Sequence, residues 1–178
     1  MSDAARFEAF VREYQDMVFA TAVRLLGREA EAEDVSQTVF LRAFERFAEI
    51  GDSASVAGWL KTVTTNLCLN HLSRYRARWQ LFGEMTSVMD GPALSTRVAL
   101  MATAPEQLER AEQQARLEHA LRRLPDHQRV PLVLCYFEEM SYQAIAETLR
   151  VSLAKVKTDI HRGREALKQE LSNPHGSR

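Results

Sequence analysis

The sequence predicts an all-α protein of two small helical domains joined by a flexible linker, and three observations carry that prediction. Gly (7) and Pro (5) are scarce among 178 residues, while Ala, Leu, Glu, Arg and Gln are frequent, a balance that favours helices. Segment after segment repeats apolar residues at i, i+3, i+4 and i+7, the spacing of one helix face. Residues 79–104 (WQLFGEMTSVMDGPALSTRVALMATA) lose that period and gather Gly, Pro, Ser, Thr and Met, over a length greater than an ordinary loop inside a compact domain. The first domain is thus expected over 5–78, the linker over 79–105 and the second domain over 106–172.

Bulk charge is uninformative, since the formal net charge is -1, but its distribution is not. No acidic residue falls between Asp52 and Glu84, where Lys61, Arg74, Arg76 and Arg78 lie. A second basic stretch lies near the C-terminus, and acids concentrate at Glu29 to Asp34 and around Glu106 to Glu118. Two basic patches in a near-neutral chain mark placed binding surfaces. The two cysteines, Cys68 and Cys135, sit far apart in apolar runs without metal-ligand spacing, which predicts free thiols in a reducing compartment. No apolar run approaches a membrane span and no signal-peptide pattern opens the chain, so a cytoplasmic location without membrane insertion is expected. No HExxH, Gly-rich phosphate loop or Ser/His/Asp arrangement is legible, and neither an enzymatic activity nor a cofactor is expected.

Taken in order, residues 6–26 form an amphipathic helix with Phe7, Phe10, Val11, Tyr14, Val18, Ala22 and Leu25 on one face, stopped by Gly27. In the next helix, residues 31–47, Glu31, Glu33 and Asp34 complement the dipole of the first turn. Ser36, Val39, Phe40, Ala43, Phe44 and Phe47 are its expected buried arc. Asp34, Thr38, Leu41, Arg42 and Glu45 project outward, with Gln37 at a border. A leucine amid charges suits a docking surface, although single exposed leucines are ordinary.

Gly51, Asp52 and Ser53 interrupt the pattern, and a helix from Trp59 buries Leu60, Val63, Leu67 and Cys68. It presents Lys61, Thr62, Thr65, Asn66, Asn70, Ser73 and Arg74 elsewhere. Amides and hydroxyls interleaved with cations beside a tryptophan suit single-stranded nucleic acid: cations neutralise the backbone and amides reach exposed base edges. The competing reading places most of Trp59 in the core. After the linker, Leu108, Ala111, Ala115, Leu117, Leu121 and Leu124 form the apolar positions of a helix ended by Pro125. Residues 126–137 supply another, with Pro131 placed early, where proline is best tolerated.

The chain is organised around Ser141 to Arg164. Ser141 caps a short helix whose Tyr142, Ile145, Ala146 and Leu149 share a face, Arg150 and Val151 turn the chain, and Ser152 caps a second helix. At about 100° per residue, Leu153, Val156, Ile160, Gly163 and Leu167 form its buried arc, leaving Ala154, Lys155, Lys157, Thr158, His161 and Arg162 opposite. Cations for phosphates beside small polar groups for base edges suit a DNA major groove. A helical hairpin with a solvated basic face is the plainer alternative.

Three segments in order, EAEDVSQTVFLRAF, GDSA…WLKTVTTNLCLN and LRRLPDHQRVPLVLCYFEEMSYQAIAETLRVSLAKVKTDIHRGR, resemble the bacterial RNA polymerase sigma factors of the extracytoplasmic-function (ECF) group. The resemblance implies a region 2 bundle and a region 4 helix-turn-helix, Tyr142 to His161. It implies core RNA polymerase as partner, through the β′ clamp helices and the β subunit, with Asp34, Gln37, Thr38 and Leu41 at the dock. It implies promoter DNA as the second partner. Asp52, Ser53, Trp59, Lys61, Thr62, Asn66 and Asn70 would hold the melted -10 strand, with Arg74, Arg76 and Arg78 along its backbone. Lys155, Lys157, Thr158 and Arg162 would engage the -35 duplex, with Ser152 and Ala154 near its edge. An anti-sigma factor is the expected regulator. Departures from the family's usual residues fall at Arg150, Ala154-Lys155, Asp159, Thr65 and Asn70, and they imply altered -35 contacts and a distinct -10 preference. Two rivals stand beside this reading: a regulator with a sensor at residues 1–78, and an interaction module without promoter recognition.

Overall fold

The structure, a computed structural model, describes residues 3–75 and 104–173, with side chains described for 3–73 and 107–173. Every regular element among these residues is a helix, and they fall into two units divided after Arg78. Arg76, Arg78 and most of the expected linker lie outside the described residues, as does the side chain of Arg74.

The first unit contains α1 (Asp3–Leu26), α2 (Glu29–Glu45), a single turn α3 (Phe47–Ile50), α4 (Val56–His71) and a 3-10 turn (Leu72–Tyr75). Gly27 ends α1 with φ 73°, and its N–H returns to the Val23 carbonyl at 2.8 Å, a left-handed stop that glycine adopts without a Cβ penalty. α1, α2 and α4 pack mutually around Val18, Leu25, Val39, Leu60 and Leu72, all fully buried. Removing such side chains from water is the main favourable term in folding. At one end Phe7 makes edge contacts with Phe44 (4.9 Å between ring centres) and Phe47 (5.1 Å), and Phe10 meets Phe47 at 5.3 Å. Edge-on geometry sets the positive ring rim against the negative face.

The second unit contains α5 (Ala104–Arg123), α6 (Asp126–Tyr136), α7 (Tyr142–Leu149) and α8 (Leu153–Ser172), so helix begins two residues before the expected start of the second domain at Glu106. α8 is the hub, packed against α5, α6 and α7. Leu121, Val130, Val133, Leu134, Ile145, Val156 and Ile160 fill the core. At Gly163 α6 comes close to α8: a Cβ there would stand 3.2 Å from the Gln128 carbonyl oxygen and 3.4 Å from a Leu132 methyl. Arg116 donates to the Leu171 carbonyl at 3.1 Å, and Arg123 lies 3.5 Å from Glu170, which ties α5 to the end of α8.

Several expected burial patterns are corrected. The buried row of α2 is Ala32, Val35, Val39 and Ala43, whereas Phe44 is 60% exposed, because the helix is rotated toward its small residues where α4 crosses it. Thr64, Thr65 and Leu69 line the inside of α4, while Val63 and Leu67 are only partly buried. Leu108, Ala111 and Ala115, in the N-terminal half of α5, are exposed rather than buried. Leu153 is 39% exposed, for it precedes the stretch of α8 that α6 covers. Pro131 is the sixth residue of α6, past the first turn, so it leaves the His127 carbonyl without its helical donor.

Candidate functional site

The helix-turn-helix in the second unit is built by local chemistry. Ser141 Oγ accepts from the Ala144 N–H at 3.1 Å and Ser152 Oγ from the Lys155 N–H at 3.1 Å, each satisfying an otherwise orphan donor. Between the helices Arg150 adopts the left-handed conformation (φ 57°, ψ 46°). The Val151 N–H reaches the Ala146 carbonyl at 3.0 Å and the Arg150 N–H reaches Glu147 at 3.3 Å, the paired bonds of a Schellman turn. This turn sets the angle at which α8 leaves α7.

On α8 the exposed side carries Ala154, His161 and Arg162, with Lys157 and Thr158 partly exposed beside them. Thr158 Oγ1 donates to the Ala154 carbonyl at 3.0 Å, and Ser152 is exposed at the helix start. Lys155 is the exception. Its side chain is 5% exposed, and its ammonium donates to Asp159 Oδ2 at 2.7 Å, the carboxylate being itself 8% exposed. Placing Lys155 on the outward arc is therefore wrong: a long side chain at the border of two arcs has followed its counter-ion inward. His127 of α6 faces this pair. Its imidazole is held below the usual histidine value by burial; Asp159 opposes that, Lys155 and Arg162 reinforce it, and Asp126 opposes it again. Burial likewise pushes the Cys135 thiol up, against the pull of Arg164.

In the first unit Asp34, Gln37, Thr38 and Leu41 stand exposed at i, i+3, i+4 and i+7 along one strip of α2. Thr38 Oγ1 donates to the Asp34 carbonyl at 3.0 Å. Leu41, 66% exposed, joins Phe44, Phe40 and Gln37 of α2 with Phe7, Val11 and Phe19 of α1 around a groove of about 740 Å³. Phe44 is the residue that sequence reasoning missed here. Its one available signal was its position three residues after Leu41 on the same strip.

On α4, Thr62, Asn66 and Asn70 form an exposed row at four-residue spacing, with Thr62 Oγ1 donating to the Gly58 carbonyl at 2.9 Å. Lys61 is partly exposed. Thr65, expected outside, is buried, and among the described residues its Oγ1 has no hydrogen-bond partner. Trp59 is partly buried, with the Arg46 guanidinium 5.8 Å from the ring centre, a cation–π distance. In the adjoining loop Asp52 accepts from Arg6 at 2.8 Å, and Ser53 and Ser55 share a hydroxyl contact of 2.9 Å. Asp52 is thus tied back to α1. No described helix is long and apolar enough to cross a membrane, and no cluster of potential metal ligands occurs among the described residues.

Two all-helical units, one with a polar, amide-lined face and one with a capped helix-turn-helix, define a DNA-binding protein of the sigma-70 type. Residues 10–78 match the family model of sigma-70 region 2, and residues 114–167 match that of sigma-70, region 4. The ECF RNA polymerase sigma factor SigW of Bacillus subtilis is 30% identical over 170 residues, covering 95% of this chain and 90% of the relative. SigE of Mycolicibacterium smegmatis is 35% identical over 168 residues, covering 93% of this chain but 62% of that relative. The RNA polymerase sigma-H factor of Pseudomonas aeruginosa is 29% identical over 171 residues, covering 95% and 88%. The chain belongs to the ECF RNA polymerase sigma factors. It binds core RNA polymerase and directs transcription initiation at specific promoters. Sigma factors are initiation factors rather than catalysts by themselves.

Proposed function

We propose that this sigma factor divides its work among three helix faces. The strip Asp34, Gln37, Thr38 and Leu41 docks on the β′ clamp helices of core polymerase, with Phe44 extending its apolar end. The row Thr62, Asn66 and Asn70, with Trp59, Lys61, Ser53, Asp52 and the following arginines Arg74, Arg76 and Arg78, holds the melted -10 strand. Lys157, Thr158 and Arg162 of α8, with Ser152 and Ala154 at its start, read the -35 duplex. Catalysis belongs to the polymerase, the protein acts in the cytoplasm, and an anti-sigma factor controls its release.

The observation that carries this reading is the exposure of Leu41 (66%) and Phe44 (60%) on a helix whose other side is wholly buried. Two large apolar side chains side by side in water, next to a carboxylate and an amide, form a surface that gains from being covered. The row on α4 supports the second assignment because three polar side chains stand exposed at one spacing along a helix face. The test is promoter-dependent run-off transcription with purified core polymerase, comparing the wild type with Asp34→Arg and Leu41→Arg. Both variants should keep their helical signal and lose core binding by at least tenfold, which corresponds to about 1.4 kcal/mol. Unchanged affinity for core polymerase would remove α2 from the interface. A transcript that never appears, with duplex DNA bound by the chain alone, would favour a conventional regulator.

A further inference from the structure

We propose that Asp159 is a positioning residue of the DNA-reading helix, which sets its salt-dependent affinity by holding Lys155 off the DNA. The inference rests on the assignment of α8 to the -35 duplex. Lys155 sits in the first turn of α8, where Ser152 caps its N–H, and its ammonium lies 2.7 Å from Asp159 one turn later. Both side chains are more than nine-tenths buried. A lysine in the first turn faces the positive end of the helix dipole, so it gains nothing from its position and depends on the carboxylate. A buried ion pair is a poor stabiliser, since two well-packed apolar side chains of the same size serve as well or better. What the pair does, and an apolar pair would do equally, is keep a cation from the exposed face.

That face then carries Ala154 and His161 fully exposed and Thr158 partly exposed, with Lys157 on one flank and Arg162 on the other. Projected at about 100° per residue, Lys155 and Arg162 lie only about 20° apart, so a free Lys155 would double the charge on the Arg162 flank. Charge on phosphates adds affinity for every sequence alike, whereas small and polar groups at base edges discriminate. Withdrawing Lys155 lowers the indiscriminate part and leaves the reading part intact. His161 is placed between the two flanking cations and joins Thr158 as a base-edge candidate.

The experiment measures salt dependence of binding by the full chain assembled with core polymerase. Two duplexes are compared, a -35 sequence selected from a random pool and a scrambled one, both kept unmelted at low temperature. Asp159→Asn should free Lys155, steepen the slope by about one unit, and add about 3.5-fold to the affinity lost between 50 and 200 mM salt. It should also raise the affinity for both duplexes by the same factor at low salt, leaving their ratio unchanged. Lys155→Ala, and Lys155→Met combined with Asp159→Leu, should leave the slope at the wild-type value. A flatter slope for either of these overturns the proposal, since Lys155 would then touch a phosphate in spite of its partner. An unchanged slope for Asp159→Asn with its helical signal retained overturns it as well, and if that variant loses its fold the two Lys155 variants decide. Lys157→Ala and Arg162→Ala separate the two levels. If neither flattens the slope, α8 does not contact DNA and the underlying assignment fails; if they do while Asp159→Asn is silent, only the role of Asp159 fails.

Discussion

Arg129 of α6 donates a hydrogen bond of 2.7 Å to the carbonyl oxygen of Leu124, the last buried residue before Pro125 turns the chain. The same guanidinium, 3% exposed, also pairs with Asp126. One side chain therefore closes the corner between α5 and α6 and fixes how α6 presents its inner face to α8. A planar guanidinium can serve a carbonyl and a carboxylate at once, which lysine cannot.

Arg129→Met should destabilise the second unit by about 2–3 kcal/mol. That is below the 3–5 kcal/mol usual for a broken buried pair, because Asp126 is partly exposed and regains water. Hydrogen exchange of the α6 amides in increasing urea would measure it. A change below about 0.5 kcal/mol would show that the corner is held by apolar packing alone.

The left-handed Arg150 makes the opposite prediction. A Cβ in this conformation costs about 1–2 kcal/mol, and glycine avoids it at a loss of about 0.5–1 kcal/mol in unfolded-chain entropy. Arg150→Gly should therefore raise stability by about 0.5–1 kcal/mol and leave the turn geometry as it is. Urea midpoints of the two proteins decide the matter. A lower midpoint would mean that the arginine side chain contributes more than its backbone strain costs.

His127 gives the second unit a pH dependence of known sign. Its folded value lies below the ordinary histidine value of about 6.5, so the unfolded chain binds the proton more readily. The stability it contributes is complete above about pH 6.5 and is lost as pH falls through the folded value. Stability between pH 5 and 7 should thus rise with pH in the wild type and be flatter in His127→Gln. Parallel profiles for the two proteins would place the titrating group elsewhere.

Asn66 tests the exposed row on α4. Asn66→Ala should slow opening of duplex promoters and weaken the preference for one -10 base by about 1–2 kcal/mol, with a smaller effect on templates melted in advance. The fold should be untouched, since the side chain is exposed. Equal damage on both templates, whatever the -10 sequence, would make Asn66 a structural residue.

Short-range chemistry was legible in the sequence wherever it acts within a few residues. The two serine caps, the stop at Gly27, the strip Asp34 to Leu41 and the burial of Gly163 all follow from spacing and side-chain type. The family, too, was legible, because three motifs in order each carry their own signature. Tertiary structure alone decided the residues at the borders of arcs. Phe44 went outward and Thr65 inward because a helical wheel has no information about where the neighbouring helix crosses. Lys155 went inward because Asp159 lies one turn away on the side that the rest of the unit buries, and a flexible four-carbon stem lets the charge follow its partner. Periodicity orders residues around an axis, but the angle at which burial begins is set by the partner helix, and a border residue has its fate decided there.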